Sequence, residues 1–527
     1  MGCISSKQDT GDVFYNFDDG VTIGVNEGKY MDDPRGSSLK YCSVDFRASQ
    51  VPTAYRAPRP RVGTCGGCGG CAGCSECCRM WTDKDFPYPS NHEVYYLDWK
   101  RPHIIVANPV LFAEGPDKSD INQGNFGTCW FLSMLSNIAE DRDLLKKVIS
   151  ERSYTPMTDG IFHCRLWRLG IWEDVYIDDF LPVHDGSRFL MSAGSGSGNS
   201  EMWVSLMEKA LAKFHGSYSV LEGGWPSDAY LALTGGVPET IRLGNTSYNP
   251  ELLYRRVRTA VDTGALVTCA IFNKVAPKGL VGQHAYSLNG ADVVTTFDNA
   301  RVPLLRLRNP HGQNEWTGRW SDTSGEWRGV REGRDLLQRK NDGEFWMSLA
   351  DFTKYFQQIT ICSLTPDFDI DGRSDHLNYV LRIFGEWRAD TSTGQGRTLK
   401  DRLRNPRFSF AIPKEGEEVP VVVHLIQGAG QHEAYYDIRC DLFKVMSDDD
   451  RSVAVTKVQD MEAKEHYFRW RQCTFRYRLR PGNYFVVPST SQSATSEEFL
   501  LRVFSPCPLY DCRSIPRDKL ILPYHRR

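Results

Sequence analysis

No stretch of this chain approaches the roughly 18 consecutive apolar residues that a membrane-crossing helix needs. No apolar segment follows the initiator methionine, so a secretory leader is not expected. Excess charge of one sign is lacking too. Lys and Arg number 63 against 66 Asp and Glu, a formal net charge of −3, and no basic run carries interleaved aromatics. A nucleic-acid partner is therefore not expected, because gripping a phosphate backbone takes clustered cations. What remains is a globular composition, 41% hydrophobic and 24% charged. With 527 residues, the chain should hold more than one domain at roughly 150 residues each.

Cysteine is plentiful but uneven. Of the sixteen, half fall in the first 80 residues, and six lie in Cys65-Gly-Gly-Cys68-Gly-Gly-Cys71-Ala-Gly-Cys74-Ser-Glu-Cys77-Cys78. A non-secreted chain meets a reducing compartment, so disulfides are not the default. The run could hold Zn2+ through four thiolates, although zinc knuckles carry spacers between their two C-x-x-C halves and this run has none. It could equally serve as a flexible tract for acylation or redox chemistry. The start, Met1-Gly2-Cys3-Ile4-Ser5-Ser6, fits N-myristoylation at Gly2, with Cys3 placed for palmitoylation. One acyl chain binds membrane marginally and two anchor it, so attachment to a cytosolic membrane face, such as the inner face of the plasma membrane, is expected.

The most informative segment is Gln123-Gly-Asn-Phe-Gly-Thr128-Cys129-Trp130-Phe131-Leu132. It puts a cysteine at the first turn of an apolar helix, with Thr128 placed to cap that helix. A helix N-terminus favours thiolate, the nucleophilic form. The Gln123 amide and the Cys129 backbone N–H could together form an oxyanion hole. A lone cysteine of this kind is usually a buried structural residue. Two further residues alter that reading. His284 opens an apolar run that reads as a strand, and Asn309 ends the next strand, where Pro310 forces a turn. Cys, then His about 150 residues on, then Asn is the chain order of papain-like thiol proteases.

The segments Gln123–Leu132, His284–Gly290 and Arg308–Asp322 resemble the protease core of the calpains. So do Trp99-Lys100-Arg101-Pro102, Trp203 to Tyr218, Thr234-Gly235-Gly236-Val237 and Asp342-Gly343-Glu344-Phe345-Trp346-Met347-Ser348. The resemblance covers residues 80 to 365 and continues less sharply to 505. It implies a calcium-dependent cysteine endopeptidase acting on protein substrates. Cys129 would be the nucleophile, His284 the base, Asn309 its orienter and Gln123 the oxyanion donor. Two positions depart from the family: Thr128 stands where Asp is usual, and His311 where Trp is usual. The competing reading is a catalytically inactive, lipid-anchored scaffold that retains the protease fold.

The expected fold is α+β: a papain-like two-subdomain core followed by an antiparallel, C2-like β-sandwich. Residues 1–79 read as a disordered, lipid-modified tether. Residues 80–222 would form the Cys subdomain, with helices over Cys129–Ile149 and Glu201–Phe214, and 223–368 the His/Asn subdomain, with Gly223-Gly224 as a hinge. Residues 369–505 would be the sandwich, with strands at Val419–Leu425, Ala434–Val445, Thr474–Leu479, Tyr484–Val487 and Phe499–Phe504, and 506–527 a tail without a legible pattern. No D-x-D-x-D-G calcium loop is expected, hence no EF-hand domain and no EF-hand small subunit.

The resemblance also implies two calcium sites. The first would use Asp120, Glu201 and the backbone near Ala113 and Gly115. The second would use Glu315, Asp322, Asp342 and Glu344, with the Lys340 carbonyl. Hard oxygen ligands on irregular loops suit calcium. By the same resemblance, ion binding would close the two halves and bring Cys129 to His284.

Overall fold

The computed structural model describes residues 13–16, 22–26, 40–45, 80–86, 97–515 and 520–523. Within 97–515 it omits 114, 151–152, 155–158, 185–190, 195–199, 244–248, 364, 370–374, 397, 414–417, 429–434, 449–451 and 463–465. Gly2, Cys3 and the 65–78 cysteine run therefore lie outside the described residues. The chain divides into two compact units, one spanning 54–363 with 370–373, the other the remainder.

In the first unit three helices matter for the site: α1 (Cys129–Glu140), α2 (Trp203–His215) and α3 (Pro226–Thr234). Helix α1 is apolar nearly all round, and ten of its twelve residues are buried. Such a helix belongs inside a core rather than on its edge. The single long helix expected over Cys129–Ile149 is instead two, because the Asp141 side chain accepts from the Asp143 and Leu144 amides and starts a second helix, Arg142–Val148. A buried ion pair between Lys209 and Asp178 fixes α2; Lys209 also donates to the Phe180 carbonyl at 2.7 Å.

The largest sheet of this unit has seven strands: β1 (Val237–Arg242), β2 (Leu266–Ile271), β3 (His284–Thr296), β4 (Arg301–Arg308), β5 (Val330–Glu332), β6 (Glu344–Ser348) and β7 (Gln358–Ser363). Their order is β6-β4-β3-β2-β7-β1, with β5 also paired to β3. All pairs are antiparallel. Tyr286, Leu288, Leu305, Leu307, Phe345 and Met347 alternate inward to make its core. Helix α1 lies against β2 and β3, where buried Asn137 donates to the Val267 carbonyl at 2.8 Å.

The second unit is a sandwich of a seven-stranded and a six-stranded sheet. Its strands Val419–Gln427, Ile438–Asp448, Gln472–Leu479, Gly482–Thr490 and Glu497–Ser505 coincide with the alternating runs read from sequence. Leu381, Ile383, Phe410, Val421, Val423, Leu442, Phe475, Val486, Leu501 and Val503 fill the space between the sheets.

Two expectations at the chain ends change. The segment read as a disordered tether carries strands Val13–Asn16, Thr22–Asn26 and Lys40–Asp45, the last paired in parallel with Tyr379–Trp387. The β-branched and aromatic residues in Val13-Phe14-Tyr15 and Tyr41-Cys42-Ser43-Val44 suit strands, but a Gly- and Asp-rich surround masks them. The tail also enters the sandwich. Tyr510–Ser514 pairs with Phe408–Ile412, and Leu520–Pro523 with Ser452–Val458.

Candidate active site

Cys129 is the first residue of α1 and His284 the first of β3. The Ala285 backbone N–H lies near enough to the Cys129 thiol to favour its ionised form, so the helix bearing the thiol meets the strand bearing the imidazole next to His284. His284 Nε2 lies 2.8 Å from Asn309 Oδ1. The orientation of that amide follows from its other partners. Asn309 Nδ2 donates to the Asn314 carbonyl at 3.1 Å, and Oδ1 accepts from the His311 backbone N–H at 3.1 Å. With Oδ1 facing the ring, Nε2 carries the proton, and Nδ1 is left as the basic nitrogen.

Above this pair lies His311, whose ring stacks on that of His284. Burial holds His284 well below its ordinary range, at about 3, and the neighbouring His311 adds to this while the Asn309 bond opposes it. Burial likewise pushes the Cys129 thiol up, against the lowering effect of the Ala285, Trp130 and Cys129 amides, with Glu222 nearby raising it further. Desolvation thus works against the helix N-terminus at this thiol, and against positive charge on the imidazole.

Gln123 donates from Nε2 to the Phe126 carbonyl at 2.9 Å, and its backbone N–H donates to Pro310 O at 2.9 Å. This places the amide beside the turn that leads into α1. Its second Nε2 hydrogen remains for another acceptor. Thr128 does not cap α1. Its hydroxyl instead donates to Glu208 Oε1 at 2.6 Å, across to α2. Glu208 Oε2 accepts from the Ala193 amide at 3.0 Å, and burial raises the Glu208 carboxyl to about 7. Glu222, exposed, accepts from the Gly127 amide at 3.1 Å. Sequence reasoning missed both glutamates because their partners stand 80 and 95 residues away.

Gly223 and Gly224, read as a hinge, sit against the same loop. The Gly223 amide donates to Gly127 O at 3.1 Å, and a Cβ on Gly224 would stand 2.5 Å from the Trp130 indole. Close approach is what requires glycine there.

The acidic groups assemble unevenly. Glu201, buried, accepts from the Ala113 amide, with Gly115 two residues on at φ 99°. Asp120, also buried, accepts from the Asp117 amide at 2.8 Å. In the second group Glu315 Oε1 accepts from the Asp342 and Gly343 amides at 3.0 and 2.9 Å. Burial, and then Glu315, Asp342 and Glu344, raise Asp322 to about 6, against the lowering bond from Lys340. Carboxylates that raise one another in this way suit a divalent cation. Two members are otherwise engaged. Glu344 pairs with Lys118 at 2.6 Å and accepts from Asn289 at 2.7 Å. Lys340 turns its amide, 3.3 Å away, toward Asp322.

Among the described residues, the one group of three acids whose ligand atoms all lie within 4.8 Å of one another is elsewhere: Asp367, Asp369 and Asp375. Asp367 and Asp369 belong to Asp367-Phe368-Asp369-Ile370-Asp371-Gly372, with Asp375 three residues beyond it, so the expectation that no D-x-D-x-D-G run occurs is wrong. The run is flanked by strands β7 and Tyr379–Trp387 rather than by helices, so it forms no EF-hand and escapes a search for helix–loop–helix patterns.

A helix presenting a cysteine to a sheet that carries histidine and asparagine is the papain-like arrangement, here followed by a C2-like sandwich. The profile described as Calpain family cysteine protease matches residues 81–363, and that described as Calpain large subunit, domain III matches residues 383–504. Similar proteins include Calpain-A of Drosophila melanogaster, 34% identical over 78% of this chain and 53% of its own length. The Calpain-1 catalytic subunit of Sus scrofa is 36% identical over 79% of this chain and 62% of its own. Calpain-9 of Homo sapiens is 33% identical over 83% of this chain and 66% of its own. The chain thus spans between about half and two-thirds of the length of these relatives. It belongs to the calpain family of cysteine proteases.

Proposed function

We propose that this chain is a calcium-dependent cysteine endopeptidase that performs limited proteolysis at a cytosolic membrane surface. The observation that carries the reading is the His284–Asn309 bond, set on strands beside the Cys129–Ala285 contact. In this mechanism His284 Nδ1 takes the Cys129 proton as the sulfur attacks the scissile carbonyl. The Cys129 amide and the free Nε2 hydrogen of Gln123 receive the oxyanion. His284 then returns the proton to the leaving amine as the C–N bond breaks, and water hydrolyses the acyl-enzyme.

Calcium, when bound, would neutralise the clustered carboxylates. Glu315, Asp322 and Asp342 would hold it in one half, and Glu201 with Asp120 in the other, while Glu344 would first have to leave Lys118. The membrane reading rests on Gly2 and Cys3, and Gly2→Ala should move the chain out of the membrane fraction. The scaffold alternative draws its support from the raised Cys129 thiol and from Thr128.

One experiment separates these readings: cleavage of an unfolded protein substrate with calcium or chelator, beside Cys129→Ala. Calcium-dependent cleavage lost in the variant supports the proposal. Cleavage that survives chelator removes calcium from it, and no cleavage by folded protein leaves the scaffold. Glu315→Ala should raise the calcium required while keeping the saturated rate.

A further inference from the structure

Glu222 is exposed, yet the structure pins it from three directions. The Leu221 carbonyl before it accepts from the Trp130 indole at 3.1 Å, and the Gly223 amide after it donates to the Gly127 carbonyl at 3.1 Å. Its own Oε2 accepts from the Gly127 amide at 3.1 Å. Glycine at 127 makes room for that bond, since a Cβ there would stand 2.7 Å from the same oxygen. Gly127 lies two residues before Cys129, so the carboxylate is fixed to the loop that delivers the nucleophile. Its charge is felt at the thiol, where Glu222 adds to the upward push of burial. The second oxygen, Oε1, is left over. Exposed Glu251 and Glu332 each pair with an arginine, at 3.2 and 3.3 Å. Among the described residues no cation pairs with Glu222. A rigid carboxylate beside a nucleophile, with one oxygen to spare, suits a cation brought by the substrate.

We propose that Glu222 is a specificity residue, accepting the lysine or arginine side chain of the substrate residue that supplies the scissile carbonyl. The assignment rests on the endopeptidase reading above and adds a substrate preference to it. When Cys129 attacks, that residue's Cα is one bond from the carbon joined to sulfur, and stays so through the acyl-enzyme. Lysine's flexible four-carbon stem can carry its ammonium out to the carboxylate, and arginine's planar fork can meet the same group. The side chain on the amine side departs with the leaving group and keeps no fixed neighbour. A cation opposite Glu222 also offsets the carboxylate's charge at Cys129, removing part of the opposition to ionising the thiol. An acidic side chain in the same place meets like charge and is rejected.

The test compares peptides identical except at that residue, which is lysine, methionine or glutamate, by kcat/KM with the full chain and calcium. Lysine should exceed methionine by roughly three- to thirtyfold, the span from an exposed ion pair to a charge-assisted hydrogen bond. Glutamate should fall below methionine. Glu222→Gln keeps an acceptor for the Gly127 amide, and in it the lysine-to-methionine ratio should approach unity. Glu222→Lys should reverse the order in favour of glutamate. Equal ratios in the parent and Glu222→Gln overturn the proposal, as does a parent that does not discriminate. If the parent cleaves no peptide, the endopeptidase reading fails, and Cys129 labelling decides the cation site separately. Mass spectrometry would follow Cys129 modification by a cationic and an anionic methanethiosulfonate of similar size. The cation-to-anion rate ratio should drop by roughly threefold or more in Glu222→Gln, and an unchanged ratio overturns the assignment.

Discussion

The imidazole of His311 lies parallel to that of His284, with 4.4 Å between ring centroids and 11° between planes. A neutral ring so placed shields the His284–Asn309 bond. A protonated one would oppose any positive charge on His284, and His311 is second only to burial in lowering that group. Burial keeps His311 itself below its ordinary value, so the stack is uncharged at neutral pH. Replacing His311 with Trp removes the opposing charge. The His284 ring-proton NMR titration should then move to higher pH than about 3. An unchanged midpoint would assign the whole shift to burial.

Glu208 gives a pH dependence with a definite sign. Both its oxygens accept hydrogen bonds, from Thr128 Oγ1 and the Ala193 amide, so the ionised form fits its partners. The groups facing it are Thr128, Ala193, Glu222 and the Tyr218 ring, and burial raises it from 4.5 to about 7. A raised carboxyl means the folded chain holds a proton that the unfolded chain has released between pH 4.5 and about 7. Stability therefore falls as pH rises through that window. Glu208→Gln can satisfy both partners by turning its amide and has no such slope. The melting temperature of the parent, relative to Glu208→Gln, should drop between pH 5 and pH 8, and parallel curves would refute the assignment. The rate of Cys129 alkylation should carry an inflection near 7 in the parent. It should be lost in Glu208→Gln, because Thr128 transmits the change to the adjacent residue.

Gln123→Ala removes one oxyanion donor and none of the groups that set the dyad. The expected loss is roughly 10²- to 10³-fold in kcat with little change in KM, from steady-state cleavage of a peptide. A loss confined to KM would make Gln123 a substrate-binding residue instead.

Lys209 and Asp178 are both almost wholly buried. Lys209→Ala strands the Asp178 carboxylate away from water, and breaking such a pair costs about 3 to 5 kcal/mol. Denaturant unfolding should register a loss of that order. Lys209→Ala combined with Asp178→Asn should recover part of it.

The residues of the site were legible because their type and place coincide: cysteine opening an apolar run, histidine opening another, asparagine before proline. The electrostatics were not. A helix N-terminus contributes about 0.3 to 1 kcal/mol toward thiolate. Its effect at Cys129 is overridden by burial, which depends on strands more than 130 residues downstream. Thr128 had the right residue type for a cap, but its hydroxyl is turned away from the helix amides to donate to Glu208 on another helix. The break at Asp141 was readable in principle, since Asp followed by Arg-Asp-Leu-Leu is a helix start, but a continuous apolar pattern hid it. The Asp367 run was open to inspection and lacked only helical flanks to draw attention to it.

The upward push that burial gives the Cys129 thiol also bears on chemical durability. Peroxide attacks thiolates, and the ladder from sulfenic to sulfonic acid begins there. A thiol pushed up by desolvation offers oxidants less thiolate to react with between substrates. Such a chain should outlast oxidative conditions that silence exposed, low-pKa cysteines.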